Sequence, residues 1–245
     1  MEDVRWPALN EPYRAALHEA VQFLFECFEI RAIVASGSIL RGNPDANSDL
    51  DMVAIHSAPF RQRIQRRFNG VPAELFVNPL ERLPRSFAED RRRGRPSLAH
   101  MLATGVVLYD RDGIAPVIKA QATAHLDAGP DFSESELQLL RYGVATWFED
   151  AVDLVARDPA LCRLALHHAV EDAVTYRYLA ANRWRPRFKE LISGLAELDP
   201  ALQLEVERFF AVTGLTDQLA AARAIIAACV GETGFFEWES AQEPL

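Results

Sequence analysis

The sequence predicts an α+β fold in which a small mixed-sheet domain at residues 1–113 precedes an all-helical domain at residues 114–245. Two observations predict this division. Short apolar runs bounded by Gly, Pro and Asn recur up to about residue 113, which is typical of strands. Beyond residue 114 these runs disappear, and long segments with apolar residues at helical spacing replace them. Strands mixed with helices in the first part indicate an α/β or α+β domain.

The first domain is expected to open with a helix from Asn10 to Ile30, which Asn10 would cap and along which apolar residues recur at helical spacing. Four short apolar segments after it have the composition of strands. They lie at residues 32–35, 50–55, 73–77 and 105–109. The segments 59–68 and 98–103 between them are predicted to be helical or irregular, and the arginines of 61–67 and 91–95 to lie on solvated faces or loops.

The second domain is expected to be a bundle of four or five helices. Ser133 and Glu136 have the spacing of a capping box, which would open a helix running to about Ala156. Further helical patterns follow at residues 159–182, 187–195, 200–212 and 216–230.

The bulk composition narrows the class of protein. A formal net charge of −9 disfavours a protein that grips a nucleic-acid backbone, since such binding depends on basic groups. No apolar run approaches the roughly 18 residues that span a bilayer, and the acidic N-terminus does not resemble a signal peptide, so a cytoplasmic protein without a membrane association is expected. The three widely spaced cysteines are predicted to be buried apolar residues, not a disulfide framework or a zinc site: Cys27, Cys162 and Cys229.

The segment from residue 37 to residue 51 carries the chemistry. Gly37 and Ser38 end the first predicted strand, and a helix can start there. Glycine permits close backbone approach, free N–H groups at a helix start attract phosphate, and the Ser38 hydroxyl adds a hydrogen-bond donor. This pair is therefore predicted to bind a phosphate group.

Two aspartates follow ten residues later. Asp49 and Asp51 lie two apart on a predicted strand, so that their side chains point to the same face, roughly 6.5–7 Å apart. Two bare carboxylates so close would repel each other, and a divalent cation such as Mg²⁺ removes that conflict. Glu74, a carboxylate within the apolar run at 73–77, is the candidate for a third metal ligand or for a general base.

Together these residues resemble the DNA polymerase β-like nucleotidyltransferase superfamily. Arg41 and Gly42 after the Gly-Ser pair, and Ser48 before Asp-Leu-Asp, also look like its small bacterial members. The resemblance covers roughly residues 30 to 113, and the helical domain after it is similar to the aminoglycoside adenylyltransferases. It implies that Gly37 and Ser38 hold the triphosphate, and that three catalytic carboxylates follow: Asp49 and Asp51 as metal ligands, and Glu74 as the base or a third metal ligand. Arg41 and Ser48 are further candidates for contact with the nucleotide, and a helix cap is the alternative for Arg41.

The resemblance also implies an activity. Two Mg²⁺ ions would assist transfer of a nucleoside monophosphate, AMP from ATP by default, to a hydroxyl of a small acceptor such as an aminoglycoside-like antibiotic, with release of pyrophosphate. A protein or RNA acceptor, or a non-catalytic nucleotide-binding regulatory module, are the alternatives. The sequence is compatible with a monomer or a homodimer.

Two groups in the second domain are weaker candidates. Lys189, one of two lysines in the chain, lies in a basic cluster at residues 183–189 and is predicted to reach the triphosphate; a solvated helix end is the alternative. Glu171 and Asp172 could bind a cationic acceptor or assist proton transfer, or belong to a solvated helix face. The adjacent His167 and His168 point about 100° apart on a helix and are interpreted as structural.

Overall fold

The computed structural model describes residues 2–240 and 242, and the chain divides into two compact units, Met1–Ala128 and Gly129–Leu245. The first unit thus includes one helix, Ala115–Ala128, beyond the 1–113 span of the predicted mixed-sheet domain. The predicted α+β fold class is confirmed: the first unit contains a mixed sheet, and the described part of the second is helical.

The first unit contains both helices and strands. Its elements are α1 (Tyr13–Cys27), β1 (Ile30–Ser36), β2 (Leu50–His56), β3 (Gln62–Phe68), β4 (Val71–Pro79), α2 (Leu83–Arg92), α3 (Ser97–Thr104), β5 (Val106–Asp110) and α4 (Ala115–Ala128). The strands form one five-stranded sheet in the order β3-β4-β2-β1-β5. The pair β2/β4 is parallel and the other pairs are antiparallel.

Both faces of this sheet are covered, which explains why β1 is an unbroken apolar run. Ile33 and Ala35 belong to the core cluster that contains α1 residues, whereas Ala32 and Val34 belong to the cluster with residues of α2, α3 and α4. Leu17 of α1 is 1% exposed, and burial of such a side chain stabilises the fold by roughly 1.5–3 kcal/mol.

Two predictions for the first unit are corrected by the structure. The first helix begins at Tyr13 and is not capped by Asn10, because Pro12 disfavours a helical conformation at Glu11. The Glu11 carboxylate instead accepts a hydrogen bond from the Ala15 backbone N–H at 3.3 Å. The segment 59–68 contains the edge strand β3, which was expected to be helical or irregular, and α2 forms in a stretch for which no helix was predicted. The arginines of 61–67 and 91–95 are exposed or partly exposed, as predicted.

The β3–β4 hairpin has a local cause. Asn69 and Gly70 connect the strands with positive φ angles of 43° and 79°, which fits the two-residue turn that matches the twist of antiparallel strands. Most of β3 is exposed, with Phe68 buried at its end, so the strand lacks the apolar alternation by which strands are recognised. The edge of the sheet therefore carries a row of arginines.

The second unit contains α5 (Glu134–Leu154), α6 (Pro159–Ala180), α7 (Leu195–Leu198), α8 (Pro200–Ala211) and α9 (Leu215–Val230). The capping box of Ser133 and Glu136 is confirmed. The predicted helix at 187–195 is wrong: a 3₁₀ turn at Phe188–Glu190 precedes α7. Phe188 is 70% exposed, so this segment lacks the buried apolar stripe that sustains a longer helix.

The cysteines are free, and Cys162 is buried as predicted. Cys27 is exposed, contrary to prediction, because it is the last residue of α1, whose buried stripe has ended at Leu24.

Asp90 is a buried carboxylate on α2. It is 5% exposed on α2, and its carboxylate accepts the backbone N–H groups of Leu98 at 3.0 Å and Ala99 at 3.2 Å, which caps the start of α3. Burial outweighs these hydrogen bonds and raises the pKa of Asp90 to about 6. The folded state therefore holds a proton that the unfolded chain, with an Asp pKa of about 3.9, has released.

We expect the stability contributed by protonated Asp90 to be fully present below about pH 4 and to be lost as the pH rises through about 6. Asp90→Asn keeps an acceptor oxygen but cannot ionise. The free energy of unfolding of this variant, minus that of the wild type, should therefore rise by up to roughly 3 kcal/mol between pH 4 and pH 7. Urea denaturation across this range measures the difference, with the exposed Asp127→Asn as control. A difference independent of pH would contradict this account.

Candidate metal centre

Three carboxylates converge where β2 and β4 lie side by side. Asp51 on β2 is the register partner of Glu74 on β4, and Asp49 immediately precedes β2. Ligand oxygens from the three side chains lie within 4.8 Å of one another. The parallel pairing of β2 with β4 is what brings the acidic pair and Glu74 together, although they are more than twenty positions apart in the sequence.

This arrangement fits a divalent cation. Carboxylate oxygens are the ligands that Mg²⁺ prefers in proteins, and an ion would relieve the mutual repulsion of the three negative charges. Asp49 and Asp51 are half-buried, and 12% of the Glu74 side chain is exposed, so the oxygens are partly withdrawn from water. Within residues 2–240 and 242, this is the one group of three or more acidic, His or Cys side chains close enough to share an ion.

The backbone at Gly37 lies close to the carboxylate of Asp51. Its φ angle is +96°, a conformation that L side chains rarely adopt, and a Cβ atom added there would lie 2.9 Å from Asp51 Oδ2. The adjacent Ser36 is the register partner of Asp51 across β1 and β2. The glycine thus permits the close approach of backbone to carboxylate, in addition to its predicted role toward phosphate.

The helix expected to start after Gly37 does not form. Residues 37–42 make a turn in which the backbone N–H of Arg41 donates to the Gly37 carbonyl at 3.3 Å, and that of Asn43 to the Ser38 carbonyl at 3.1 Å. Gly42, with a φ angle of +78°, ends the turn. Since there is no helix N-terminus here, phosphate binding would depend on the N–H groups of the turn, and the phosphate contact stays a prediction.

The structure brings Ser38 and Ser48 together. Their hydroxyl oxygens are 2.7 Å apart, and Ser48 Oγ also accepts the backbone N–H of Asp45 at 2.8 Å. These bonds close the loop between β1 and β2 and hold Asp49 at its end. Arg41 is exposed in the turn. Contacts of these residues with a nucleotide remain predictions.

Arg63 on β3 belongs to the site although no sequence pattern singled it out. Its Nε–H donates to Glu74 Oε1, and its guanidinium carbon lies 5.3 Å from the centre of the Phe76 ring. The hydrogen bond to Glu74 raises the pKa of Arg63, and the charges of Glu74 and Asp51 add to this effect. The sequence signal for this neighbour is the Asn69-Gly70 pair, which is typical of a two-residue hairpin turn and so predicts a strand paired with β4, the strand of Glu74.

The second unit holds the remaining candidates. Lys189 lies in the 3₁₀ turn at Phe188–Glu190, and its contact with the triphosphate stays a prediction. Glu171 forms an ion pair with Arg185 at 2.5 Å. Asp172 beside it is exposed at the surface, but the protein atoms around its carboxyl displace part of the water and raise its pKa, and the charge of Glu171 raises that pKa further.

The adjacent histidines have separate ring contacts in the second unit. His168 stacks on Trp147, and His167 contacts Phe209 and Phe210. These contacts agree with the structural interpretation of both residues.

In the described part of the chain, no helix combines the length and the apolar character that crossing a lipid bilayer requires.

Comparison with known proteins supports the fold. No protein-family model matches the chain, and no curated protein matches it in sequence. Among solved structures, the chain is similar to a nucleotidyltransferase-like protein from Exiguobacterium sibiricum 255-15, with a TM-score of 0.54 and 14% sequence identity over 87% of this chain and 74% of that one. At this identity the likeness concerns the fold alone. The chain therefore shares the fold of a nucleotidyltransferase-like protein.

Proposed function

We propose that the protein transfers a nucleoside monophosphate from a nucleoside triphosphate to an acceptor hydroxyl, with divalent cations bound by Asp49, Asp51 and Glu74. The observation that carries this proposal is the convergence of three carboxylates within 4.8 Å. They do so where the neighbouring strands β2 and β4 pair, in a chain that shares its fold with a nucleotidyltransferase-like protein. An acidic cluster alone is common on protein surfaces. An acidic cluster in a chain with this fold favours metal-dependent nucleotidyl transfer.

In this reaction the acceptor oxygen attacks the α-phosphorus, the bond between the α-phosphorus and the bridging oxygen breaks, and pyrophosphate leaves. Two Mg²⁺ ions would supply activation of the hydroxyl and neutralisation of the charge that develops on the leaving group. Asp49 and Asp51 would hold these ions. Glu74 would complete the ligand set or accept the proton of the acceptor hydroxyl, and Gly37 leaves the room that the Asp51 carboxylate occupies.

The finer proposal names the substrates. ATP is the proposed donor and a small hydroxyl-bearing molecule, aminoglycoside-like in its positive charge, the proposed acceptor. A net charge of −9 suits a cationic acceptor better than a nucleic acid, whose phosphates it would repel. In the second unit, the surface carboxylates Glu171 and Asp172 are candidates for recognition of amino groups.

Calorimetry of ATP binding with and without Mg²⁺ tests the proposal. The wild type should bind ATP in a metal-dependent way, and the double variant Asp49→Asn/Asp51→Asn should lose that dependence because it lacks the anionic ligands. Asp127→Asn, an exposed aspartate on α4, controls for a change of charge. ATP binding that is unaffected by the double substitution would overturn the proposed site.

A further inference from the structure

Glu74 is a carboxylate that the fold withdraws from water. Only 12% of its side chain is exposed, and it lies on β4 opposite Asp51, so that a second negative charge stands next to it. A carboxylate in such a position destabilises the fold unless a cation or hydrogen-bond donors compensate it. In this structure Arg63 supplies both.

The Arg63 side chain is in a position from which it can release the Glu74 carboxylate. It lies on the edge strand β3, opposite Phe76 in the register and two residues from the direct partner of Glu74, which is Gln65. Its side chain is 57% exposed, and the Phe76 ring lies under the guanidinium. Because the guanidinium is exposed, it can return to water when it releases Glu74, and an incoming cation would then take over the neutralisation of that carboxylate.

The guanidinium also lies close to any cation that the three carboxylates would share, because it hydrogen-bonds Oε1 of Glu74, which is one of the three ligand side chains. In the sheet, β3 and β2 flank β4, so Arg63 and Asp51 approach Glu74 from its two neighbouring strands. A bound cation would compete with Arg63 for the negative charge of Glu74, and the positive charge of the guanidinium would repel that cation.

We propose that Arg63 is the resident counter-ion of Glu74, which a divalent cation must displace in order to bind the triad, so that Arg63 sets the metal affinity of the site. This inference rests on the proposed function. Arg63 is a positioning residue in this scheme: it keeps Glu74 neutralised and in place until a metal ion arrives. The site would then be filled chiefly when metal is abundant or when a nucleotide delivers it.

Binding of Mn²⁺, followed through the electron paramagnetic resonance signal of the free ion, tests the inference without any need for activity. Arg63→Gln should bind Mn²⁺ roughly three- to tenfold more tightly than the wild type, because the competing charge is gone. Arg63→Lys, which restores a positive charge, should return most of the way to the wild-type affinity. The gain should shrink at high ionic strength, which screens the repulsion.

Arg66→Gln is the matched control. It removes the same charge from the same strand, but Arg66 pairs in register with Ala73 and its guanidinium lies 4.8 Å from the Phe23 ring on the opposite face. In a Glu74→Gln background, Arg63→Gln should have no effect on Mn²⁺ affinity. Thermal melting of each variant verifies that it is folded.

The outcomes separate this inference from the proposed function. Tighter binding confined to Arg63→Gln and dependent on Glu74 supports the exchange. Unchanged or weaker binding in Arg63→Gln, or an equal gain in Arg66→Gln, overturns it while leaving the metal site intact. If the wild type binds no Mn²⁺, or binds it equally after Asp51→Asn, the proposed metal site itself fails.

Discussion

Substitution of Asp51 by asparagine is expected to lower the rate of pyrophosphate release from ATP by at least about a hundredfold, the scale of losing one preorganised electrostatic contact in the transition state. Asp51 is at the centre of the site: it pairs in register with Ser36 on one side and with Glu74 on the other. Asparagine has nearly the same shape, so the fold should persist while the charge that holds the metal is removed.

The measurement is Mg²⁺-dependent pyrophosphate release across a panel of hydroxyl-bearing acceptors, from aminoglycosides to neutral sugars. Asp127→Asn removes the same charge elsewhere in the first unit and should retain the wild-type rate. Equal rates in the wild type and Asp51→Asn, at the same thermal stability, would show that the carboxylate triad is not the catalytic centre. A preference for cationic over neutral acceptors would support the proposed acceptor class.

Most elements could be predicted because their apolar pattern or their capping residues can be recognised in the sequence. β1 is covered on both faces and is therefore an uninterrupted apolar run, and α5 carries the complete capping box at its first turn. The elements that were missed bury few apolar residues. β3 has one buried residue, Phe68, and two of the four buried residues of α2 are polar, Ser86 and Asp90, so neither shows the apolar periodicity that identifies a strand or a helix.

The candidate site was predictable to a similar degree. The spacing of Asp49 and Asp51 could be read directly, and Glu74 was conspicuous as a carboxylate between apolar residues. That these three meet depends on the parallel pairing of β2 with β4, a long-range contact that no local pattern specifies. Arg63 could not be found without knowing that β3 is a strand and which of its residues faces Glu74.

The turn after β1 shows how a local rule can fail. A strand that ends in Gly-Ser is often followed by a helix, but here Gly42 ends the turn after a few residues. The chain then returns so that Ser48 bonds Ser38, which delivers Asp49 to the start of β2. The conformation of this loop thus positions Asp49 and Asp51.

Substitution of Gly37 by alanine is the second change expected to have a large effect, because two costs coincide at this residue. A φ angle of +96° strains any residue with a Cβ atom, which lowers the free energy of unfolding by roughly 1–3 kcal/mol. The added Cβ atom would also lie 2.9 Å from Asp51 Oδ2, closer than real contacts allow. Asp51 must therefore move, and a shift of about 1 Å in a reacting constellation can reduce the rate roughly a hundredfold.

Gly42→Ala separates the two costs, since Gly42 has a similar φ angle of +78° but an added Cβ atom there meets nothing within 4 Å. Both variants should lose comparable stability in urea denaturation, whereas only Gly37→Ala should weaken Mn²⁺ binding and nucleotidyl transfer. Equal activity in the two variants would mean that the contact between Gly37 and Asp51 does not hold the carboxylate in its working position. A selective loss in Gly37→Ala would link the backbone at the end of β1 to the metal centre, and would give the glycine a role that is independent of phosphate binding.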